Sequence, residues 1–128
     1  MKRTTDNYCF ACGAKNPIGL RLKIVEKDGG SYFQVILPKE YQGWANLIHG
    51  GIVCTLLDEV MVWAASLKGV DTVTGEINIR FKNPTPVGST LEGIGRITGA
   101  KGKVIFTEGE LRADGKVVAL SRGKLVRI

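Results

Sequence analysis

The sequence predicts an α+β fold in which an antiparallel sheet wraps one long central helix. Three observations carry this. The seventeen residues from Ile52 to Lys68 contain no glycine or proline, and most are apolar, which suits a buried helix. Runs that alternate apolar and polar residues stand on both sides of it. Turn signals, among them Asp28-Gly29 and Asp114-Gly115, separate those runs at hairpin spacing. Two strands, a helix and then four strands pack most simply as a meander around the helix.

The elements follow in order. Residues 1–20 read as an N-terminal arm, with a turn at Asn16-Pro17 and Gly19. Leu20 to Lys27 alternates and reads as a strand. Asp28-Gly29-Gly30 turns the chain into a second strand, Ser31 to Leu37, which Pro38 ends. Residues 39–45 form a loop into the central helix, taken as 49–68, and Gly69 stops it. Asp71 to Lys82 reads as a strand with Val73, Gly75, Ile77, Ile79 and Phe81 on one face. Thr72, Thr74, Glu76, Asn78 and Arg80 take the other. Asn83 to Pro86 breaks it, and strands near 89–99, 103–113 and 116–127 complete the set. With no repeats or linkers, residues 1–128 are expected to form one domain.

Composition narrows the class. The 128 residues are 44% apolar and 23% charged, ordinary for a soluble globular protein. The net charge of +6 favours an anionic partner. No aromatic-basic platform accompanies it, so nucleic acid is not an expected partner. No apolar stretch reaches the ~20 residues of a membrane span, and the N-terminus lacks an apolar signal core. Three cysteines do not suggest a disulfide framework, and a cytoplasmic location with reduced thiols is expected. Cys9 and Cys12 have the spacing of half a zinc knuckle. Zinc normally takes four ligands, and only Cys54 and His49 remain to complete a set. A zinc shared by two arms of a dimer would supply four cysteines. The plainer expectation is that Cys9, Phe10 and Cys12 pack as small apolar groups, so neither metal nor cofactor is assigned.

The helix carries the candidate chemistry. Its few polar residues, Thr55, Asp58, Glu59 and Ser66, fall in a narrow stripe at about 100° per residue. A carboxylate on an otherwise apolar helix is costly without a partner or a task. His49, the only histidine, precedes Gly50 and Gly51 at the helix start. Backbone N–H groups there lack helical acceptors, glycines let a ligand approach, and the dipole adds positive potential. Gly50 N–H is therefore the candidate donor to a substrate carbonyl. Asp58 lies eight residues on, roughly 12 Å along the axis, too far to serve a carbonyl held by its own helix start. Either the two act separately, or Asp58 faces the helix start of a second subunit. Its alternative is a carboxylate satisfied by nearby hydroxyls or by the arm.

The segments HGGIVCTLLDE, TGEINIRFKNPTPVG and GKVIFTEGELRADGKVVA resemble the hotdog-fold thioesterases, near the phenylacetate-pathway and 4-hydroxybenzoyl-CoA branch. The likeness covers about residues 20–127, and CFACGAKNPIGLRL is similar to an arm of some bacterial members. It implies an acyl-CoA thioesterase that is a homodimer or dimer of dimers. One subunit would supply the carboxylate, Asp58, and the other the Gly50 carbonyl donor. The implied substrate is a small to medium acyl- or aryl-CoA. The resemblance further implies substrate or water contact by Thr74 and a nucleotide site at Lys82, Asn83 and Pro84. Arg80 beside them, and Lys101 and Lys103 at another turn, are the remaining basic candidates. Gly51 and Glu59 are expected at the edge of the substrate, with Glu59 the rival carboxylate. His49 is expected to position the loop or to bond near the thioester. The family often has an amide residue six before the histidine. Here that position is Gly43, so Gln42 or Asn46 would have to supply the amide. This departure motivates an alternative, a non-catalytic hotdog protein that binds an acyl-CoA-like ligand. A dehydratase, needing its histidine in another context, ranks last.

Overall fold

The computed structural model of the chain describes residues 4–128. Its elements are β1 (Val25–Lys27), β2 (Gly30–Ile36), a single 3₁₀ turn (Lys39–Tyr41), α1 (Gly50–Ser66), β3 (Thr72–Phe81), β4 (Thr90–Lys101), β5 (Val104–Ala113) and β6 (Lys116–Arg127). The strands form one sheet in the order β1-β2-β4-β5-β6-β3, antiparallel throughout. Helix α1 therefore carries the chain from one side of the sheet to the other edge, across one face. Among the described residues, no helix is long and apolar enough to cross a membrane.

The helix buries Val53, Leu56, Leu57, Val60, Met61, Ala64 and Ala65. These recur at three- and four-residue steps and form the stripe that faces the sheet. Val53, Leu56, Leu57 and Val60 cluster with Phe33, Leu91, Leu111 and Val118 from the strands and with Leu37 just past β2, while Ala65 packs with Ile105 and Leu125. Glycines in the sheet let the helix come close. Gly95 on β4 pairs with Gly109 on β5. A Cβ at Gly95 would lie 2.2 Å from the Val60 carbonyl oxygen, and one at Gly123 would lie 3.1 Å from Met61 Sδ. Ser31 Oγ donates to that same Val60 carbonyl, tying β2 to the helix as well.

Two expected strands differ from the sequence reading. Leu20 to Lys27 pairs regularly only over Val25–Lys27. Leu20 and Leu22 are buried, but their N–H groups donate to Phe10 and Ala11 carbonyls at 2.8 and 2.9 Å, and Arg21 between them has φ of +52°. The segment is held by the arm instead of the sheet. In β3 the alternation is interrupted by a bulge between Thr74 and Glu76. Thr74 opposes Leu125, which is buried under the helix, while Glu76, Asn78 and Arg80 oppose Lys124, Arg122 and Leu120 on the outer face. Thr72 and Thr74 thus share the helix side with Ile77, Ile79 and Phe81. One extra residue in a strand reverses the facing of all that follow.

Strand β3 is also an edge, paired only with β6. Its Val73, Ile77 and Phe81 are 49%, 37% and 54% exposed.

The close approach of α1 to the sheet is open to test. Gly95→Ala should lower unfolding free energy by about 1–3 kcal/mol, because the helix backbone must shift to admit the methyl. Gly99→Ala, whose Cβ would meet only Phe106 at 3.8 Å, should change it by under about 0.5 kcal/mol. Urea denaturation of both variants is the measurement.

Candidate active site

The start of α1 is built around His49. Its main chain donates to the Tyr41 carbonyl at 2.9 Å, which fixes the entry of the chain into the helix. Its Nδ1 accepts the Gly51 N–H at 2.8 Å, so the histidine is the N-cap and its proton sits on Nε2. The Ile52 and Val53 N–H groups both go to the His49 carbonyl. Among the described residues the Gly50 N–H alone of this turn has no acceptor. A Cβ at Gly50 would meet nothing nearer than Phe81 at 3.8 Å, so this position is open to a ligand. At Gly51 a Cβ would lie 3.0 Å from His49 Nδ1, so this glycine makes room for the cap.

Of the two candidate side-chain amides, that of Gln42 is used inside the preceding loop. Gln42 Oε1 accepts the Asn46 N–H at 3.1 Å. Asn46 holds a left-handed conformation, φ +68°, which asparagine tolerates well, and its carbonyl accepts Val87 N–H. Gly43 backs the histidine: a Cβ there would lie 3.3 Å from His49 Cα.

A cleft of about 700 Å³ opens at this end of the helix, lined by Trp44, His49, Gly50, Phe81, Lys82, Asn83 and Pro84 among others. Trp44 is 86% exposed at its rim. Asn83 Nδ2 donates to the Val117 carbonyl at 2.9 Å, which pins the 82–84 turn to β6 and leaves the Lys82 side chain exposed. Arg80 is not brought to this cleft. The β3 bulge turns it to the outer face, where it lines a separate groove of about 500 Å³ with Arg96, Glu108 and Arg122.

Asp58 does not line that cleft either. It sits two turns along α1, half-buried, and accepts a hydrogen bond from Thr74 Oγ1 at 2.7 Å. The bulge that turns Arg80 outward is what aims Thr74 at the helix. One chain thus carries a free N–H at one place and a carboxylate-hydroxyl pair at another, on the open sheet edge.

A family model described as the thioesterase superfamily matches residues 45–120. The chain belongs to the thioesterase superfamily. Among solved structures it is similar to protein RHA08564, a thioesterase superfamily protein, at 27% identity and TM-score 0.88 over 98% of this chain and 67% of that one. The E. coli PaaI protein of the phenylacetic acid degradation operon superposes at TM-score 0.77 and 24% identity, over 84% and 79% of the two chains. A hypothetical thioesterase from Streptococcus pneumoniae, solved with coenzyme A, gives TM-score 0.77 at 17% identity, over 83% and 87%. No curated protein matches the chain. The sheet wrapped on a single long helix is the hotdog fold of these thioesterases.

In this superfamily member the second carboxylate, Glu59, turns away from Thr74. Its Oε2 accepts Trp63 Nε1–H at 3.1 Å, and its Oε1 lies 3.8 Å from Cys9 Sγ on the arm. Burial pushes the Glu59 carboxyl above the ordinary carboxylate range. Burial, together with the Cys9 and Glu59 neighbours, pushes the Cys12 thiol up to about 12. Met61, on the sheet-facing side of α1, is fully buried core.

The capping role of His49 generates a test. His49→Ala should cost about 1 kcal/mol of stability, and His49→Asn, which can accept the same N–H, should recover most of it. Thermal unfolding followed by circular dichroism reads both.

Proposed function

We propose that this thioesterase-superfamily chain hydrolyses a small to medium acyl- or aryl-CoA thioester, at sites shared between two copies of itself. The observation that carries this is the separation of the two reactive ends. Gly50 N–H is free in a cleft, while Asp58, on the same rigid helix, holds its hydrogen bond to Thr74 beside an unpaired strand edge. A two-fold pairing brings the carboxylate of one copy to the helix start of the other and generates two equal sites. The exposed apolar side chains of β3 favour such a pairing, in a dimer or a dimer of dimers.

The chemistry then divides by residue. Gly50 N–H and the helix dipole hold the thioester oxygen and its developing negative charge. Asp58 of the other copy takes a proton from water as the water oxygen bonds to the acyl carbon, or bonds to that carbon itself and forms a mixed anhydride that water then cleaves to the free acid and the carboxylate. Collapse of the tetrahedral intermediate breaks the carbon–sulfur bond, and the CoA thiolate leaves and takes up the proton held by Asp58 or, in the anhydride route, one from solvent. Thr74 orients Asp58 or the water. His49 orders the donor by occupying the Gly51 N–H, and Asn46 shapes the loop. Lys82, Asn83 and Pro84 receive the nucleotide end, with the coenzyme A bound to the S. pneumoniae relative as support for that ligand class. Trp44 at the rim offers an aromatic face to the acyl group or the adenine.

Gly43, which offers no amide beside the carbonyl, supports a second reading: a hotdog protein that binds acyl-CoA without turnover.

Free-thiol release across an acyl-CoA panel separates the two readings, since binding without release supports the second. Asp58→Asn should lower kcat by roughly 10²–10⁴-fold. Gly50→Pro is a clean deletion of the donor: proline suits the first helical position, and His49 already has the extended φ −58°, ψ 136° that precedes proline. Its loss should be roughly 10²–10³-fold. Co-expression of the Asp58→Asn and Gly50→Pro chains should restore about a quarter of wild-type activity, because half the dimers then carry one intact site. Hybrids as inactive as either parent would eliminate the shared site.

A further inference from the structure

The pair Cys9-x-x-Cys12 has no part in the proposed hydrolysis, and neither has Glu59. These three residues lie together, although 50 positions separate Cys9 from Glu59. Cys9 Sγ, Cys12 Sγ and a Glu59 oxygen all lie within 4.8 Å of one another, and all three residues are half-buried. We propose that Cys9, Cys12 and Glu59 are the protein ligands of a zinc ion, with the fourth tetrahedral position open to water.

The geometry is close to what zinc needs. Bond lengths of about 2.3 Å to sulfur and about 2.1 Å to a carboxylate oxygen set a tetrahedral S···O edge of about 3.6 Å. The Cys9 Sγ to Glu59 Oε1 distance is 3.8 Å. The turn between the cysteines is built to hold sulfur. Cys12 N–H donates to Cys9 Sγ at 3.3 Å, which fixes that sulfur within the turn. Gly13 N–H closes the turn on the Cys9 carbonyl at 2.9 Å. No other residue fits at Gly13, because a Cβ would fall 2.4 Å from Cys9 N. The carboxylate is supported from behind: Trp63 Nε1–H holds Oε2 and leaves Oε1 facing the thiols, the outer-shell arrangement that orients a ligand. No ion pair reaches Glu59 among the described residues, so a cation there would answer a half-buried acid. Two sulfur donors select zinc over magnesium or calcium. Binding displaces the protons of both thiols and involves no redox change. The ion would clasp the arm to α1.

The test uses the full chain, reduced and stripped by chelator, then titrated with Zn²⁺ against a chromophoric chelator and separately with Co²⁺. One Zn²⁺ per chain, a thiolate-to-cobalt charge-transfer band and a rise in Tm on zinc addition are expected. Cys12→Ser should weaken zinc by more than the roughly 10–100-fold that loss of a merely supporting residue costs. Glu59→Gln should weaken it at least tenfold while the charge-transfer band persists at saturating cobalt. If Cys12→Ser does not fold, Glu59→Gln and the wild-type cobalt spectrum decide alone. Absence of zinc uptake, or equal affinity in the variants, overturns the proposal. So does one zinc per two chains with Glu59→Gln unaffected, which would assign the metal to two arms.

Discussion

The seating of α1 on the sheet is the constraint on which everything else depends. The helix lies so close that strand positions beneath it must lack side chains, and the Gly95–Gly109 pair meets that need. Close packing makes the helix rigid and fixes its rotation, since Val60, Leu57 and Met61 each have one place to go. Once the rotation is fixed, every polar residue on α1 has its neighbour chosen for it. Asp58 is turned to the edge strand and Glu59 to the arm. Neither could be exchanged for the other by a small rotation, because the apolar stripe would leave the core.

The same rigidity separates the chemistry. A helix does not shorten, so a carboxylate two turns from the helix start stays roughly 12 Å from it. A flexible loop could fold one reactive group onto the other, but this scaffold cannot. Under the proposed function, the second copy supplies the missing proximity. The price is an exposed apolar edge on each free chain, visible in Val73, Ile77 and Phe81.

Much of this was legible in the sequence because it rests on periodicity and turn chemistry. The central helix, the four strands nearest the C-terminus and the Asp-Gly turns all follow from local signals, and the structure has Asp28, Gly29, Asp114 and Gly115 at positive φ as such turns require. The sequence marks Thr74 and Asp58 separately, but their contact does not follow from it. Strict alternation set Thr74 with Arg80, and only the bulge at Gly75 parts them. The signal was the glycine itself inside a strand pattern, where a Cβ would press to 3.0 Å from Val126. Leu20 and Leu22 misled for a related reason. Alternation reported their burial correctly but did not say which partner accepts their N–H groups. Cysteine and histidine spacing alone does not reveal the Cys9–Cys12–Glu59 cluster. A carboxylate remote in sequence carries no spacing signature.

The two adjacent acids of α1 meet different surroundings. Successive residues diverge by about 100°, so Asp58 and Glu59 cannot address one site, and each must be answered separately. Thr74 answers Asp58 with a single hydroxyl on an exposed strand, leaving its other oxygen without a protein donor among the described residues. A group held that way can still accept a proton. Glu59 is instead enclosed by Trp63 and two thiols, and burial raises its proton affinity. An acid so placed is a poor partner for water that must arrive and leave, and a good one for an ion that stays. Under the proposed function and the proposed zinc site, the enclosure, more than the choice of aspartate or glutamate, separates turnover at the first from anchoring at the second.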